Sequence, residues 1–294
     1  MTPCEKEQAV NDKGWRYRIR LDRIVVWCLG SALAILWIAP VVWMVSTSLK
    51  PLGQIETLNV EWLPREFSGE SYRRVFEQPA LRWFLNSTIV SVITTFGNVF
   101  LGATTGYALA RLHFPGRDAL FALLLAILMV PSEIAIIPLF LGALKLNLAN
   151  SYAGLILPSL ASVFSAYLFR QFYLSFPQDL EDAARIDGCT HLGIFWWIAL
   201  PLAQPAVIAA TILMFTSNWN AFLWPLLITF NREMKTLPVG MAYFSPAIGQ
   251  ATARQFNYGI GMAAMTIMAA PTVLLFLLLQ KYFVEGVRTV GIKG

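Results

Sequence analysis

The sequence predicts an all-α membrane protein with six transmembrane helices and both termini in the cytoplasm. Three observations carry that expectation. Of the 294 residues, 57% are hydrophobic and only 13% are charged, against about 25% charged in soluble globular domains. The apolar residues gather in repeated segments, each long enough at 1.5 Å per helical residue to cross a hydrocarbon core of roughly 30 Å. The basic residues fall between those segments, which is how membrane proteins encode orientation. A net charge of +5 therefore reads as topology, and no nucleic-acid partner is expected.

Residues 1–23 read as a cytoplasmic tail holding Lys6, Lys13, Arg16, Arg18, Arg20 and Arg23; residues 24–294 read as the transmembrane domain. Ile24–Thr47 is the first span. It exceeds a signal-peptide core of roughly 7–15 residues and is followed by no small-x-small cleavage site, so it reads as an uncleaved helix. The remaining spans are Phe84–Ala110, Ala119–Leu141, Ser151–Arg170, Leu202–Phe230 and Tyr258–Tyr282. Lipid offers the backbone no hydrogen-bond partner, so each must be helical. Pro131, Pro138, Pro225 and Pro271 lie in or near these spans and predict kinks or breaks. An even number of spans puts both ends on one side, and the cations of the tail assign that side to the cytoplasm. The cations of the 49–83 loop, by contrast, are offset by glutamates. Trp37, Trp43, Trp196 and Trp197 suit interfacial anchors.

Polar residues within the spans narrow the possibilities. Ser87, Ser91, Thr94, Thr95, Asn98, Gly102 and Thr105 recur at spacings of three and four, apart from the adjacent Thr94 and Thr95, on one helical face. That stripe must meet protein or water, either packing against another helix or lining a solute path. Gly102-Ala-Thr-Thr-Gly106 is a GxxxG pattern suited to close helix approach. Glu133 is the only acidic residue within these spans. With no in-span basic partner, it reads as a water-facing or interfacial group rather than a proton-coupling one. In Phe215-Thr-Ser-Asn-Trp-Asn-Ala-Phe-Leu-Trp-Pro225, Asn218, Trp219 and Asn220 suit a hydroxyl-rich solute, since amides bond hydroxyls and indoles stack on sugar rings. Equally, their amides suit backbone groups freed by a kink. Cys4, Cys28, Cys189, His113 and His191 show no metal-ligand or redox spacing. No catalytic residue, metal site or cofactor is expected.

The loop 171–201 is the most informative segment. Ser175-Phe-Pro-Gln-Asp-Leu-Glu-Asp-Ala-Ala-Arg-Ile-Asp-Gly-Cys-Thr-His191 reads as a short helix opened near Pro177, acidic in its first turn and stopped by Gly188. About ten residues reach only ~15 Å, too short to cross a bilayer. Asp179, Glu181, Asp182 and Asp187 outweigh Arg185, so the helix suits a basic protein surface better than an anionic leaflet. The small Ala183 and Ala184 permit close approach.

Here the chain resembles the membrane subunits of ABC importers, whose cytoplasmic loop has the form E-A-A-x-x-x-G, commonly with Asp before the Gly. The match is Asp182-Ala183-Ala184-Arg185-Ile186-Asp187-Gly188, followed by Leu200-Pro201. Asp182 stands where the family usually has Glu, and neighbouring Glu181 offers a second carboxylate. Trp219-Asn220-Ala221-Phe222-Leu223-Trp224-Pro225 is similar to the W-N-x-F-x-W-P segment of carbohydrate-importer permeases. Pro131–Phe140 and the ending Gly286–Gly294 are similar to the maltose-type branch.

The resemblance implies a multi-pass permease in the cytoplasmic (inner) membrane of a prokaryote, moving a carbohydrate or related polyol. It implies that Glu181, Asp182, Ala183, Ala184, Asp187 and Gly188 form a coupling helix seated on a cytoplasmic ABC ATPase. It also implies a second, related permease subunit and an extracytoplasmic solute-binding protein. Asn98, Asn218, Trp219 and Asn220 are the candidate path residues. The chain contains no Gly-Lys dipeptide and hence no phosphate-binding P-loop, so a transporter built on it takes its energy from another polypeptide and is not itself an enzyme. The competing expectation is a secondary, ion-coupled carrier. That would need coupling-ion ligands and usually an internal repeat, neither of which is evident here.

Overall fold

The computed structural model describes residues 3–55, 61–244 and 258–290, with side-chain surroundings for 24–53, 55, 61–244 and 258–281. Among the described residues every regular element is helical. The similarity of Gly286–Gly294 falls outside the described side chains. The chain divides into two compact units, one of residues 1–72 with 257–266, the other of 73–256 with 267–294.

In the first unit α1 (Pro3–Ser48) carries a 25-residue apolar stretch, Ile24–Ser48. Its large apolar side chains are exposed along most of that length, Trp27 and Trp37 among them. A helix apolar all round suits a lipid environment. Only its last turn becomes polar and buried. There the Ser48 hydroxyl lies 2.8 Å from the Tyr72 hydroxyl, Ser46 donates to the Trp62 carbonyl, and Lys50 donates to the Glu61 carbonyl. These bonds satisfy the buried side-chain donors of the last turn and two carbonyls of the following loop.

After α2 (Glu70–Phe76), the second unit is organised around α3 (Ala80–Arg111), 32 residues long and buried along one side. Arg117–Asp118 open α4 (Arg117–Leu128) behind Gly116, whose φ of 85° favours glycine. Past Pro131 and a tight turn at Ser132–Ala135 comes α5 (Ile136–Lys145), bent 91° from α4. Next, α6 (Tyr152–Ile156) is capped by Ser151, whose hydroxyl accepts from Gly154 N at 3.0 Å. It leads through Leu157–Ser159 to α7 (Val163–Leu174), bent 40° away. Ser162 caps α7 in the same manner.

The 171–201 segment holds α8 (Asp179–Ile186) and α9 (His191–Ile194), then one wide turn at Phe195–Ala199 and the short α10 (Leu200–Leu202). A 74° bend at Ala203 starts α11 (Gln204–Trp219), which gives way after three residues to α12 (Leu223–Ile228). Then come α13 (Leu237–Met241) and α14 (Tyr258–Val290).

Among the described residues, three helical stretches, Ile24–Ser48, Ala80–Arg111 and Tyr258–Lys281, are individually long and apolar enough to cross a membrane. Three more qualify only as bent pairs, 117–145, 152–174 and 191–219. Two sequence expectations change in detail. The span expected at Leu202–Phe230 is not one helix, because the chain breaks at 220–222 ahead of Pro225. Pro271 lies inside a continuous helix, while the sharp bend at Ala203 sits between Pro201 and Pro205.

The polar stripe of α3 is a packing face. Gly97, Gly102 and Gly106 let α7 and the turn before it approach so closely that a Cβ at Gly106 would lie 2.6 Å from the Phe169 Cβ and 2.7 Å from the Arg170 backbone nitrogen. Added Cβ atoms at Gly97 and Gly102 would collide with Leu160 and Ser165. Ser165 donates to the Asn98 carbonyl at 2.8 Å, and the Asn98 amide donates to the Ser159 carbonyl at 2.7 Å. At the other end of α3, Asn86 donates to the carbonyls of Glu233 and Lys235, and Ser87 accepts from Leu237 N. Trp83 donates to the Arg232 carbonyl and fills the space that a side chain at Gly240 would need.

Candidate functional site

The eight residues of α8 show two distinct faces. Asp179, Leu180, Asp182, Ala183, Arg185 and Ile186 are exposed, Ile186 to 86%, as is Asp187 at the C-cap. Glu181 and Ala184, three positions apart and hence on one side of a helix, are buried. Ala184 joins an apolar cluster with Tyr107, Ala110, Phe169, Tyr173, Ile194 and Phe195. Its single methyl group lets the α8 backbone come close to that cluster.

Glu181 is held by charge. Its Oε1 lies 3.1 Å from Nε of Arg111, with the two side chains 10% and 4% exposed. Arg111 is the last residue of α3, and its Nη2 donates to the carbonyls of Tyr173 at 2.7 Å and Phe176 at 2.8 Å. Those carbonyls belong to the end of α7 and the residues just after it, where backbone acceptors lack helical partners. Removing one member of a buried ion pair costs about 3–5 kcal/mol, because the other charge is left uncompensated.

The helix ends by backbone geometry. Gly188 has a φ of 85°, its N–H bonds the Arg185 carbonyl at 3.0 Å, and Cys189 N bonds the Ala184 carbonyl at 2.9 Å. This is a glycine-dependent C-terminal cap. No atom lies within 4 Å of where a Cβ at Gly188 would sit, so backbone conformation alone sets the requirement. Thr190 then caps α9, accepting from Gly193 N at 3.2 Å.

Of the six residues expected at an ATPase contact, Asp182, Ala183, Asp187 and Gly188 thus face outward, while Glu181 and Ala184 face the chain's own interior. The helix begins at Asp179, two residues after Pro177.

The four candidate path residues are brought near one another but differ in environment. Asn98 is buried, and Asn218 donates to Thr95 Oγ1 at 3.2 Å and to Asn98 Oδ1 at 3.4 Å, joining α11 to α3. Trp219 is 1% exposed, donates to the Met268 carbonyl at 2.9 Å, and packs between Phe215 and Phe84. Asn220 is exposed at the break after α11, with its side chain donating back to the Thr216 carbonyl at 2.8 Å. Glu133 is exposed in the bend between α4 and α5, accepting from Ser132 at 3.2 Å.

Arg111 is the residue that sequence reasoning passed over. Its signal was present. It ends the buried α3 face one turn after Tyr107, and a strongly acidic neighbouring helix calls for a cation.

Residues 98–289 match the family described as the binding-protein-dependent transport system inner membrane component. The chain is 37% identical over 276 residues to the arabinooligosaccharides transport system permease protein AraQ of Bacillus subtilis, covering 92% of this chain and 96% of that one. It is 38% identical over 202 residues to the sn-glycerol-3-phosphate transport system permease protein UgpE of Yersinia pestis bv. Antiqua, covering 69% and 70%. A chain from the crystal structure of a bacterial ABC transporter involved in import of the acidic polysaccharide alginate superposes with a TM-score of 0.78 at 23% identity. That superposition covers 90% of this chain and 97% of the other, and attests the fold.

Proposed function

Because this chain belongs to the family of inner-membrane components of binding-protein-dependent transport systems, as a permease subunit of an ABC importer for carbohydrates or related polyols, we propose that the outward face of α8 is the surface gripped by a separate cytoplasmic ATPase. The observation that carries this is the division of the helix into an acidic exposed face and an inner face bonded to the bundle. Asp182 and Asp187 present carboxylates to a basic partner, Ala183 allows close approach, and Ile186 offers an apolar knob. Residues 24–294 act as the permease domain, and residues 1–23 as a cytoplasmic tail. Six spans with both termini inside put residues 171–201 on the ATPase side of the cytoplasmic membrane.

A second permease subunit completes the path, and an extracytoplasmic solute-binding protein delivers the solute. Relatives named for arabinooligosaccharides and sn-glycerol-3-phosphate support a hydroxyl-rich cargo. Asn220 faces that path, while Asn98, Asn218 and Trp219 hold the wall behind it. An ion-coupled carrier is not favoured by the family membership.

A cysteine at Ile186 tests the ATPase contact. In the assembled transporter, Ile186→Cys should cross-link to the ATPase subunit, and uptake should require hydrolysable ATP. Uptake driven by an imposed ion gradient without ATP would overturn the proposal. For the path, Asn220→Leu should impair uptake while leaving assembly intact, whereas Asn218→Leu should lower assembly by breaking the α11–α3 contact. Unchanged uptake kinetics in Asn220→Leu would remove that residue from the path.

A further inference from the structure

We infer that the Arg111–Glu181 ion pair transmits movement of α8 to the membrane-embedded helices, which makes both side chains positioning residues for coupling. The inference rests on the proposal that α8 meets the ATPase, and extends it from a contact surface to a route.

The geometry supplies the reason. The inward side of α8 consists of Glu181 and Ala184. The alanine methyl packs but offers no directional grip, so a sideways pull on the helix is resisted by the attraction between Glu181 and Arg111 across 3.1 Å, with the Tyr107 hydroxyl a further polar neighbour of that carboxylate. On the far side of that pair, one guanidinium ties three segments together: the end of α3, the end of α7 and the residues just after it through the carbonyls of Tyr173 and Phe176, and α8 itself. Burial denies either charge a replacement partner in water, so the pair moves as a unit or breaks at high cost.

From Arg111 the connection continues along a single continuous helix. α3 is locked to α7 through Gly102 and Gly106, and Thr95 and Asn98 on the same face contact Asn218. Asn218 lies two residues from the break at Asn220–Phe222, where α11 gives way to α12. A force on α8 therefore reaches the α11 break through two polar joints and one rigid helix, the type of contiguous packed network that carries coupling.

The test uses the complete transporter in liposomes, in a background lacking the three native cysteines. Ile186→Cys reports contact with the ATPase by cross-linking, and Ala221→Cys reports conformation at the α11 break by its rate of maleimide labelling with and without ATP. Glu181→Gln keeps the shape and removes the charge. It should preserve cross-linking and ATP hydrolysis but reduce the ATP-dependent change in labelling by about tenfold, a loss within the range of ordinary site-to-site coupling. Glu181→Asp, which keeps the charge on a shorter arm and leaves Arg111 with its two carbonyls, should retain about half of that change.

A labelling response unchanged in both Glu181→Gln and Arg111→Met would overturn the inference while leaving the ATPase contact standing. So would loss of cross-linking in Glu181→Gln together with the response, since that marks a purely structural role. Absence of the Ile186→Cys cross-link, or of any ATP response, in the otherwise native background would sink the ATPase proposal and the inference with it.

Discussion

Asp182→Arg is expected to abolish ATP-driven uptake while the protein still inserts and assembles with its partner permease. Asp182 is exposed at the middle of the outward face of α8, so the substitution leaves the Glu181–Arg111 pair and the Ala184 packing untouched. What changes is the sign of one charge on the surface proposed to meet the ATPase. Like-charge juxtaposition in an interface costs several kcal/mol, and about 3 kcal/mol corresponds to a hundredfold loss of association. The measurement is uptake alongside the yield of purified complex. Full uptake by Asp182→Arg would mean that the acidic face of α8 has no basic partner.

Gly188 gives the same helix a second, independent test. Its φ of 85° is unfavourable to L-residues, at a cost of roughly 1–2 kcal/mol, and open space surrounds the position. Gly188→Val should therefore release the C-terminal cap and lose uptake, whereas Gly188→Asn should retain most of it, because Asn tolerates the left-handed conformation. Equal effects from Val and Asn would show that bulk at Gly188, and not backbone conformation, sets the requirement.

A clear loss of stability is expected from Gly106→Leu. The added Cβ would fall 2.6 Å from the Phe169 Cβ and 2.7 Å from a backbone nitrogen, neither of which is a flexible side-chain tip. The α3 and α7 helices would have to separate, opening the contact that also carries the Ser165–Asn98 bond. Overpacking of a well-filled core costs about 1–3 kcal/mol and occasionally more, so the detergent-solubilised variant should unfold at a visibly lower temperature. Gly142→Leu, where no atom lies within 4 Å of the added Cβ, is the control. A melting temperature for Gly106→Leu equal to that of the control would refute the close approach.

Several features were legible in the residues because their causes are local. Apolar length marks a span wherever it occurs. Three- and four-residue spacing placed Ser87 through Thr105 on one face without reference to any neighbour. The acidic run stopped by Gly188 announced a short helix because capping and the left-handed glycine are decided within a few residues. Even the close approach at Gly102–Gly106 was written as a GxxxG pattern, though not which helix it would meet.

What remained hidden depends on neighbours distant in sequence. Glu181 and Asp182 are adjacent carboxylates of almost equal chemistry, and the sequence offered both to the ATPase. They differ only in which way α8 is rotated against Arg111, seventy positions earlier, and Tyr173. The bends near Pro131 and Ala203 likewise lie beside prolines, yet Pro271 leaves its helix unbroken. A proline loosens a helix, and the surrounding packing decides how far it turns. Asn98 and Asn218 were both candidates for a solute path, and only the fold shows that their side chains meet.

The sequence by itself determined that this is a helical membrane protein with an acidic, non-spanning helix between apolar segments, since bilayer length, charge and glycine conformation act within one stretch of chain. Only the tertiary structure decided that this helix is fastened inward by Glu181 and left open outward at Asp182. That choice is made by a buried guanidinium at the end of another helix, and no local pattern in α8 contains it.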